Sequence, residues 1–148
     1  MKSDNIMNNM NAVEILLVED NPQDAELTIR AFRKHNLAAE DGAEALEFIF
    51  CTGKYNDRDF TKPPKVIFLD LKLPKISGLE VLQEIKSNPL TKSIPVVVVT
   101  SSRENPDIKK AYELEANSYV VKPVNFDDFL NAMSQTGLYW LLVNEITT

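Results

Sequence analysis

The fold is decided by the run KVIFLD at residues 65–70, a short apolar strand that ends on a single carboxylate, Asp70. Its apolar residues are continuous rather than alternating, which is typical of a strand covered on both faces. Three further runs follow the same pattern: 15–18 ends on Glu19 and Asp20, 96–99 on Thr100, and 119–121 on Lys122. The sequence therefore predicts strands with polar side chains at their carboxyl ends, and the runs at about 13–18, 66–69 and 94–99 are expected to be central strands buried on both faces.

Helical stretches separate these strands, and capping residues mark where the helices begin. The expected starts, each a polar N-cap with or without a first-turn proline, are Asn21-Pro22, Ser77 with Glu80, Asn105-Pro106 and Asn125. Alternating strands and helices force parallel pairing through right-handed crossovers. We therefore predict an α/β fold, a doubly wound five-stranded parallel sheet in the flavodoxin-like order 2-1-3-4-5.

The second strand has little chain to form from. Only residues 36–41 lie between His35, near which we expect the first helix to end, and Gly42. Six extended residues reach about 20 Å, which is barely one strand length. We predict that this strand is short or missing, and because it lies at the sheet edge, its loss would leave the core in one piece.

Length and composition indicate one domain, since the chain has 148 residues of which 44% are hydrophobic. We expect residues 1–11 to form a flexible N-terminal tail and residues 12–148 a single domain with an apolar C-terminal helix extension. The sequence shows no signal peptide and no apolar run near the roughly 20 residues that a membrane span needs. With Cys51 as its one cysteine, the chain fits a reducing cytoplasm.

The charge balance argues against one class of partner. The net charge is -6 and the isoelectric point is near 4.8, and no cluster of Lys and Arg is long enough to neutralise several phosphates. We therefore expect no nucleic-acid partner, and no membrane partner either.

The polar strand ends describe one site, because the carboxyl ends of parallel strands lie along one edge of the sheet. Three carboxylates in one small pocket repel each other unless a hard cation joins them, so Glu19, Asp20 and Asp70 indicate a divalent metal. Mg²⁺ is the best candidate, since it takes one or two protein carboxylates and shares its other positions with water and phosphoryl oxygens. The backbone carbonyl of Lys72 is a further candidate ligand.

The same residues suit phosphoryl transfer. With the acids neutralised by a metal, Asp70 can attack phosphorus and form an aspartyl phosphate. Thr100 can donate a hydroxyl hydrogen bond to the phosphoryl group, and Lys122 can pair with its charge. A cis peptide at Lys122-Pro123 would turn the lysine inward, whereas a trans proline would simply end the strand. The plain alternative is that polar residues at strand ends only face solvent.

Four motifs resemble the receiver domain of bacterial response regulators: ILLVEDN at 15–21, VIFLDLKLP at 66–74, VVVVTSS at 96–102 and YVVKP at 119–123. The resemblance covers nearly the whole chain from about residue 13 and implies phosphotransfer from a sensor histidine kinase to Asp70. The other roles that it implies are metal-site acids for Glu19 and Asp20, the switch hydroxyl for Thr100, the phosphate contact for Lys122 and the switch aromatic for Tyr119.

Such a domain is a phosphoacceptor that promotes its own Mg²⁺-dependent phosphorylation and dephosphorylation, with no separate substrate turnover. Its output, by the same resemblance, is a changed face formed by the fourth helix, the fifth strand and the fifth helix. A narrower resemblance is to single-domain response regulators of cyanobacterial phytochrome kinases. It rests on the loop GKYNDRD at 53–59, on LKLPK at 71–75 and on the aromatic pair Tyr139-Trp140, and it implies a phytochrome as the kinase.

The apolar run LYWLLV at 138–143 predicts an interaction surface, because a helix that is apolar all round must be covered on more than one side. We expect a homodimer or a kinase contact built from the last helix. The candidate interface residues are Leu138, Tyr139, Trp140 and Leu142. The alternative is that this segment folds back over its own core.

Two other functions stay open. One is a constitutive protein-interaction module that is never phosphorylated, although every group that phosphorylation needs is present. The other is a Mg²⁺-dependent phosphatase that works through an aspartyl phosphate. Such an enzyme typically has a second acid two residues after its nucleophile. Lys72 occupies that place.

Overall fold

The computed structural model describes residues 10, 12–30 and 36–138 of the chain. The strands are β1 (Ile15–Val18), β2 (Asn36–Ala39), β3 (Val66–Leu69), β4 (Val96–Thr100) and β5 (Ser118–Val121). The helices are α1 (Pro22–Ile29), α2 (Gly42–Phe50), α3 (Gly78–Ser87), α4 (Asn105–Glu113) and α5 (Phe126–Thr136), with a short 3₁₀ turn at Gly53–Tyr55.

The five strands form one parallel sheet in the order β2-β1-β3-β4-β5, which confirms the predicted fold. The second strand is present but short, as the length of residues 36–41 requires. Its four residues pair with the whole of β1, from Ile15 with Asn36 to Val18 with Ala39. The chain is therefore long enough for a minimal edge strand.

Two apolar clusters cover the two faces of the sheet, as successive strand residues point to opposite sides. Leu16 and Ile67 pack with α2, α3 and α4 on one face. Leu17 and Phe68 pack with α1 and α5 on the other, where the Phe68 ring meets the Phe129 ring edge-on at 5.6 Å. Strands β1, β3 and β4 are buried along their whole length, which explains why their sequences are continuously apolar.

Three of the four expected helix starts are confirmed. Asn21 accepts hydrogen bonds from two backbone N–H groups of α1, Ser77 caps α3, and Asn125 forms a capping box with Asp128. The start of α4 was predicted one residue late.

The N-cap of α4 is Glu104, whose carbonyl accepts from the N–H groups of Asp107 and Ile108. Asn105 is therefore the first helical residue, and Pro106 is the second. Proline fits the second helical position equally well, because a backbone N–H at that position also has no partner within a helix.

The long loop after α2 is held by a buried arginine. The Arg58 guanidinium lies over the Phe48 ring, 3.8 Å from its centroid, and donates to the carbonyls of Phe48 and Lys62. The loop thus caps the carboxyl end of α2. It also leads into β3 at the amino end of that strand, opposite Asp70, as the sequence indicated.

Several predicted features lie outside the described residues, namely 1–9 and 11 of the expected tail and the interface candidates Tyr139, Trp140 and Leu142. Met10 is described and packs against the α2 side of the core. Leu138 is also described: it packs on the α1 and α5 side, and its N–H donates to Met133. Among the described residues, no helix has the length and apolar content to cross a membrane.

Candidate functional site

Three acids meet at the carboxyl edge of the sheet because β1 and β3 are neighbours. Glu19 and Asp20 follow β1, Asp70 follows β3, and the register pairs the last residues of the two strands. Their carboxylate oxygens lie within 4.8 Å of one another. Glu19 and Asp70 are buried, whereas Asp20 is exposed and opens the cluster to solvent.

Lys122 reaches into the same pocket from the end of β5. Its Nζ lies 2.9 Å from Asp70 Oδ2, 2.5 Å from Glu19 Oε1 and 3.1 Å from Asp24 Oδ2. The Lys122-Pro123 peptide bond is cis, which is one of the two alternatives that the sequence left open, and the lysine side chain points inward. The pocket therefore joins residues that lie up to 103 positions apart in the sequence.

Burial sets the electrostatics of this pocket. Burial raises the pKa of Glu19, the hydrogen bond from Lys122 lowers it and the Asp70 charge raises it, with a net pKa of about 7. Burial would lower the pKa of Lys122, but its hydrogen bonds to Glu19 and Asp70 leave that pKa above its usual value. The charged form of Glu19 is therefore favoured by the nearby ammonium group of Lys122.

The donor set fits a hard divalent cation. Carboxylate oxygens are the ligands that Mg²⁺ prefers, and the exposed Asp20 leaves one side open to water and to a phosphoryl oxygen. The backbone N–H of Lys72 donates to Asp70 Oδ1 at 3.1 Å, which fixes the orientation of that carboxylate. The carbonyl of Lys72 stays a predicted ligand.

A glycine supports the Asp70 backbone, and the sequence analysis missed it. The N–H of Gly78 donates to the Leu71 carbonyl, and a Cβ at Gly78 would lie 2.1 Å from the Asp70 carbonyl oxygen. Every other residue type would push this backbone away. The only sequence signal was a glycine directly after the Ser77 cap.

Thr100 and Tyr119 are linked through the loop after β4. Thr100 is fully buried, and its carbonyl accepts from the N–H of Lys122 at 2.9 Å. The Tyr119 hydroxyl donates to the carbonyl of Ser102 at 3.0 Å, and the Ser102 hydroxyl donates to Asp107 Oδ2 at 2.5 Å. Thr100, Lys122 and Tyr119 are therefore connected by hydrogen bonds to the segment 100–102.

Asp24 is a second residue that the sequence analysis missed. It lies in the first turn of α1, where an acidic residue is favourable for any helix, so its sequence position carries no specific signal. Only the packing of α1 against the end of β5 brings its carboxylate to Lys122.

The fold and the pocket define an α/β domain whose acidic site lies between β1 and β3, where the strand order reverses. The chain belongs to the response regulator receiver domain family, which matches residues 15–134. It is thus a receiver domain of two-component signalling. Domains of this family are phosphoacceptors that bind Mg²⁺ at an acidic pocket and interact with sensor kinases, rather than enzymes with substrate turnover.

Its relatives are response regulators, some of which are named for phytochromes. Response regulator Rcp1 of Synechocystis sp. is 39% identical over 132 residues, which are 86% of this chain and 88% of Rcp1. The bacteriophytochrome response regulator AtBRR is 48% identical with a TM-score of 0.77, covering 88% of this chain and 96% of that chain.

Two further solved structures bear on the pocket. The phosphorylated cyanobacterial phytochrome response regulator RcpA is 36% identical with a TM-score of 0.73, covering 90% of this chain and 95% of that chain. The Mn²⁺-bound form of Rcp1 is 37% identical with a TM-score of 0.70, covering 90% of this chain and 96% of that chain. These similarities confirm the family resemblance that the sequence motifs indicated.

Proposed function

We propose that this receiver domain accepts a phosphoryl group on Asp70 from a sensor histidine kinase. The observation that carries this proposal is the buried Asp70 carboxylate, held between two further acids and the ammonium group of Lys122. The two further acids can hold a cation, and the ammonium group of Lys122 attracts the oxygens of an incoming phosphoryl group.

In the proposed step, an Asp70 carboxylate oxygen forms a bond to the phosphorus of a phosphohistidine. The bond between phosphorus and the imidazole nitrogen breaks, and the imidazole leaves with the electron pair and takes up a proton. A bound Mg²⁺ would neutralise the charges of the acids and the phosphoryl oxygens. Lys122 moves its hydrogen bond from Asp70 to a phosphoryl oxygen, and the Thr100 hydroxyl donates to another.

The output follows from the segment that joins these residues. A Thr100 hydroxyl drawn toward Asp70 pulls on the loop that also holds the Tyr119 hydroxyl through the Ser102 carbonyl. Tyr119 would leave that carbonyl and turn inward, which changes the face formed by α4, β5 and α5. A local charge change would thereby bias a two-state surface.

We propose that the kinase is a phytochrome. We also propose that this protein lies in the cytoplasm. Support for a phytochrome kinase comes from the names of AtBRR and RcpA and from the motifs at 53–59 and 71–75. We also propose that the C-terminal residues from Leu138 onward, with Tyr139, Trp140 and Leu142, form a homodimer or kinase contact. Leu138, which already packs on the core, would anchor that segment.

The test of Asp70 phosphorylation is the intact mass of the protein after incubation with acetyl phosphate, with and without Mg²⁺. We expect a phosphoryl adduct that requires Mg²⁺ and is absent from an Asp70→Asn variant. The asparagine side chain has nearly the same shape as that of aspartate and lacks its charge. Circular dichroism of both proteins controls for folding.

No adduct on a folded wild-type protein would contradict the proposal and favour the constitutive interaction module. Continuous hydrolysis of a phosphate monoester by the wild type, absent from Asp70→Asn, would favour the phosphatase instead.

A further inference from the structure

One of the three carboxylates that bind Lys122 lies outside the acid cluster. An ammonium group has three N–H donors, and here they face Glu19, Asp70 and Asp24. Glu19 and Asp70 belong to the group of oxygens that can hold a cation, whereas Asp24 does not. Asp24 therefore binds Lys122 without being a candidate metal ligand.

The place of Asp24 in the fold is well defined. Asn21 caps α1 by accepting from the Asp24 N–H at 3.1 Å, so the first helical turn and its side chains are fixed relative to β1. The Asp24 side chain is 40% exposed, and that of Lys122 is 17% exposed. Both line a small cavity between α1 and α5, with an accessible volume of about 100 Å³, which leaves the lysine room to move.

A bound divalent cation changes the competition for Lys122. A cation held by oxygens of Glu19 and Asp70 would draw those oxygens away from Lys122, and its charge would repel the ammonium group. Two of the three partners of Lys122 are weakened at once, while the Asp24 carboxylate stays available. Without the Asp24 carboxylate, the side chain of Lys122 would extend into the neighbouring cavity and solvent.

We propose that Asp24 is a positioning residue that retains the Lys122 ammonium at the pocket while the acids hold a cation. This inference rests on the proposed function, because a retained ammonium matters only if a phosphoryl group arrives on Asp70. Asp24 itself touches neither the phosphoryl group nor the cation. Its carboxylate acts through Lys122 alone.

The test compares Asp24→Asn and Asp24→Glu with a matched control, Glu26→Gln. Glu26 is an exposed acid of the same helix that pairs with Arg30 rather than with Lys122. The control therefore removes an equal charge from α1 and leaves the pocket contacts intact.

The first readout is the lysine ammonium signal of Lys122 in ¹H–¹⁵N spectra, assigned with Lys122→Arg, before and after addition of MgCl₂. We expect wild type and Glu26→Gln to keep the signal in both states. Asp24→Asn should keep it without Mg²⁺ and lose it with Mg²⁺, and Asp24→Glu should restore it. A merely structural role of Asp24 would not make the loss depend on Mg²⁺.

The second readout is the rate of adduct formation from acetyl phosphate at saturating Mg²⁺. We expect Asp24→Asn to be slower by about fivefold, the size typical of a lost, partly exposed ion pair. Asp24→Glu should recover most of that rate, and Glu26→Gln should match the wild type.

Two outcomes would overturn the inference: a Mg²⁺-loaded Asp24→Asn protein that keeps the ammonium signal, or one that is phosphorylated at the wild-type rate. If the wild type forms no adduct at all, the proposed phosphorylation of Asp70 fails. The spectra would still decide whether Asp24 retains Lys122, so the two failures are distinguishable.

Discussion

At the scale of single residues, Lys122 is the group on which the pocket depends. Its ammonium is the cation that the buried acids Glu19 and Asp70 face in the described structure. Any divalent cation that binds these acids must compete with it. Lys122 therefore favours phosphoryl binding and opposes metal binding.

The substitution Lys122→Met separates these two effects. We expect Mg²⁺ to bind more tightly by about threefold to tenfold, because the ammonium no longer competes for the acid oxygens. Formation of the adduct from acetyl phosphate should nevertheless become slower. Isothermal titration calorimetry and intact mass measure the two quantities.

Lys72→Met is the control for that experiment. Lys72 is exposed and close in sequence to Asp70, so its replacement removes a nearby charge and leaves the side-chain contacts of the pocket in place. A smaller change in Mg²⁺ affinity is expected. Weaker Mg²⁺ binding by Lys122→Met would contradict the competition argument.

A second prediction at this scale concerns Gly78. In Gly78→Ala the new Cβ would collide with the Asp70 carbonyl oxygen, 2.1 Å away, so the backbone that carries Asp70 must shift. We expect the free energy of unfolding to fall by about 1–3 kcal/mol, and phosphorylation to slow. Urea denaturation measures the first effect.

Gly137→Ala provides the contrast. Gly137 ends α5 with φ 76°, and a Cβ there would meet no atom within 4 Å. Its cost of about 1 kcal/mol comes from backbone conformation alone, and phosphorylation should be unchanged. Equal phosphorylation rates in Gly78→Ala and the wild type would show that the close approach does not position Asp70.

At the scale of elements, the loop between α2 and β3 is a structural cap. The buried Arg58 replaces the missing hydrogen bonds at the end of α2 and stacks on Phe48. The loop also folds back along the helix, where the Tyr55 hydroxyl donates to Glu44 at 2.8 Å. Because α2 begins directly after β2, the Arg58 contacts at the carboxyl end of α2 lie away from the carboxyl edge of the sheet.

Arg58→Met should therefore lower stability without changing the chemistry of Asp70. We expect a loss of about 2–4 kcal/mol, since the carbonyls of Phe48 and Lys62 lose the Arg58 donor and the guanidinium no longer stacks on Phe48. Arg58→Lys should recover only part of this, because an ammonium lacks the planar set of donors. Denaturant unfolding gives the stabilities.

The control is the rate of adduct formation at a temperature where both variants are folded. This rate should equal that of the wild type. A large decrease in a folded Arg58→Met protein would mean that the loop is coupled to the pocket.

At the scale of the whole molecule, the open question is how the chain associates with other chains. Leu138 packs on the core behind α5, at the last described position before the aromatic run that follows it. A chain that ends at Leu138 keeps this packing and lacks the other proposed contact residues, Tyr139, Trp140 and Leu142. Its state of association therefore tests the interface proposal directly.

We expect the full chain to be dimeric and the chain ending at Leu138 to be monomeric, as measured by size-exclusion chromatography with light scattering. Phosphorylation by acetyl phosphate should be the same in both, because the pocket is complete without the tail. An unchanged state of association together with lower stability would instead show that the tail covers its own core.

The sequence by itself determined the parallel sheet, the short second strand and the meeting of Glu19, Asp20 and Asp70. These follow from local rules: buried strands read as continuous apolar runs, and the carboxyl ends of parallel strands share one edge. Residues 36–41 had room for one short strand and nothing longer. The cap of α4 was misplaced because proline is acceptable at more than one first-turn position.

Only the tertiary structure decided that Asp24 reaches Lys122, that Gly78 lies against the Asp70 carbonyl and that Arg58 is buried. Each contact depends on how a helix or loop is rotated against a distant part of the chain, over 98 residues in the case of Asp24 and Lys122. Local sequence patterns carry no information on such rotations, because packing of the whole core sets them. The three acids of the pocket and Lys122 were therefore predictable, whereas the contacts of Asp24, Gly78 and Arg58 were not.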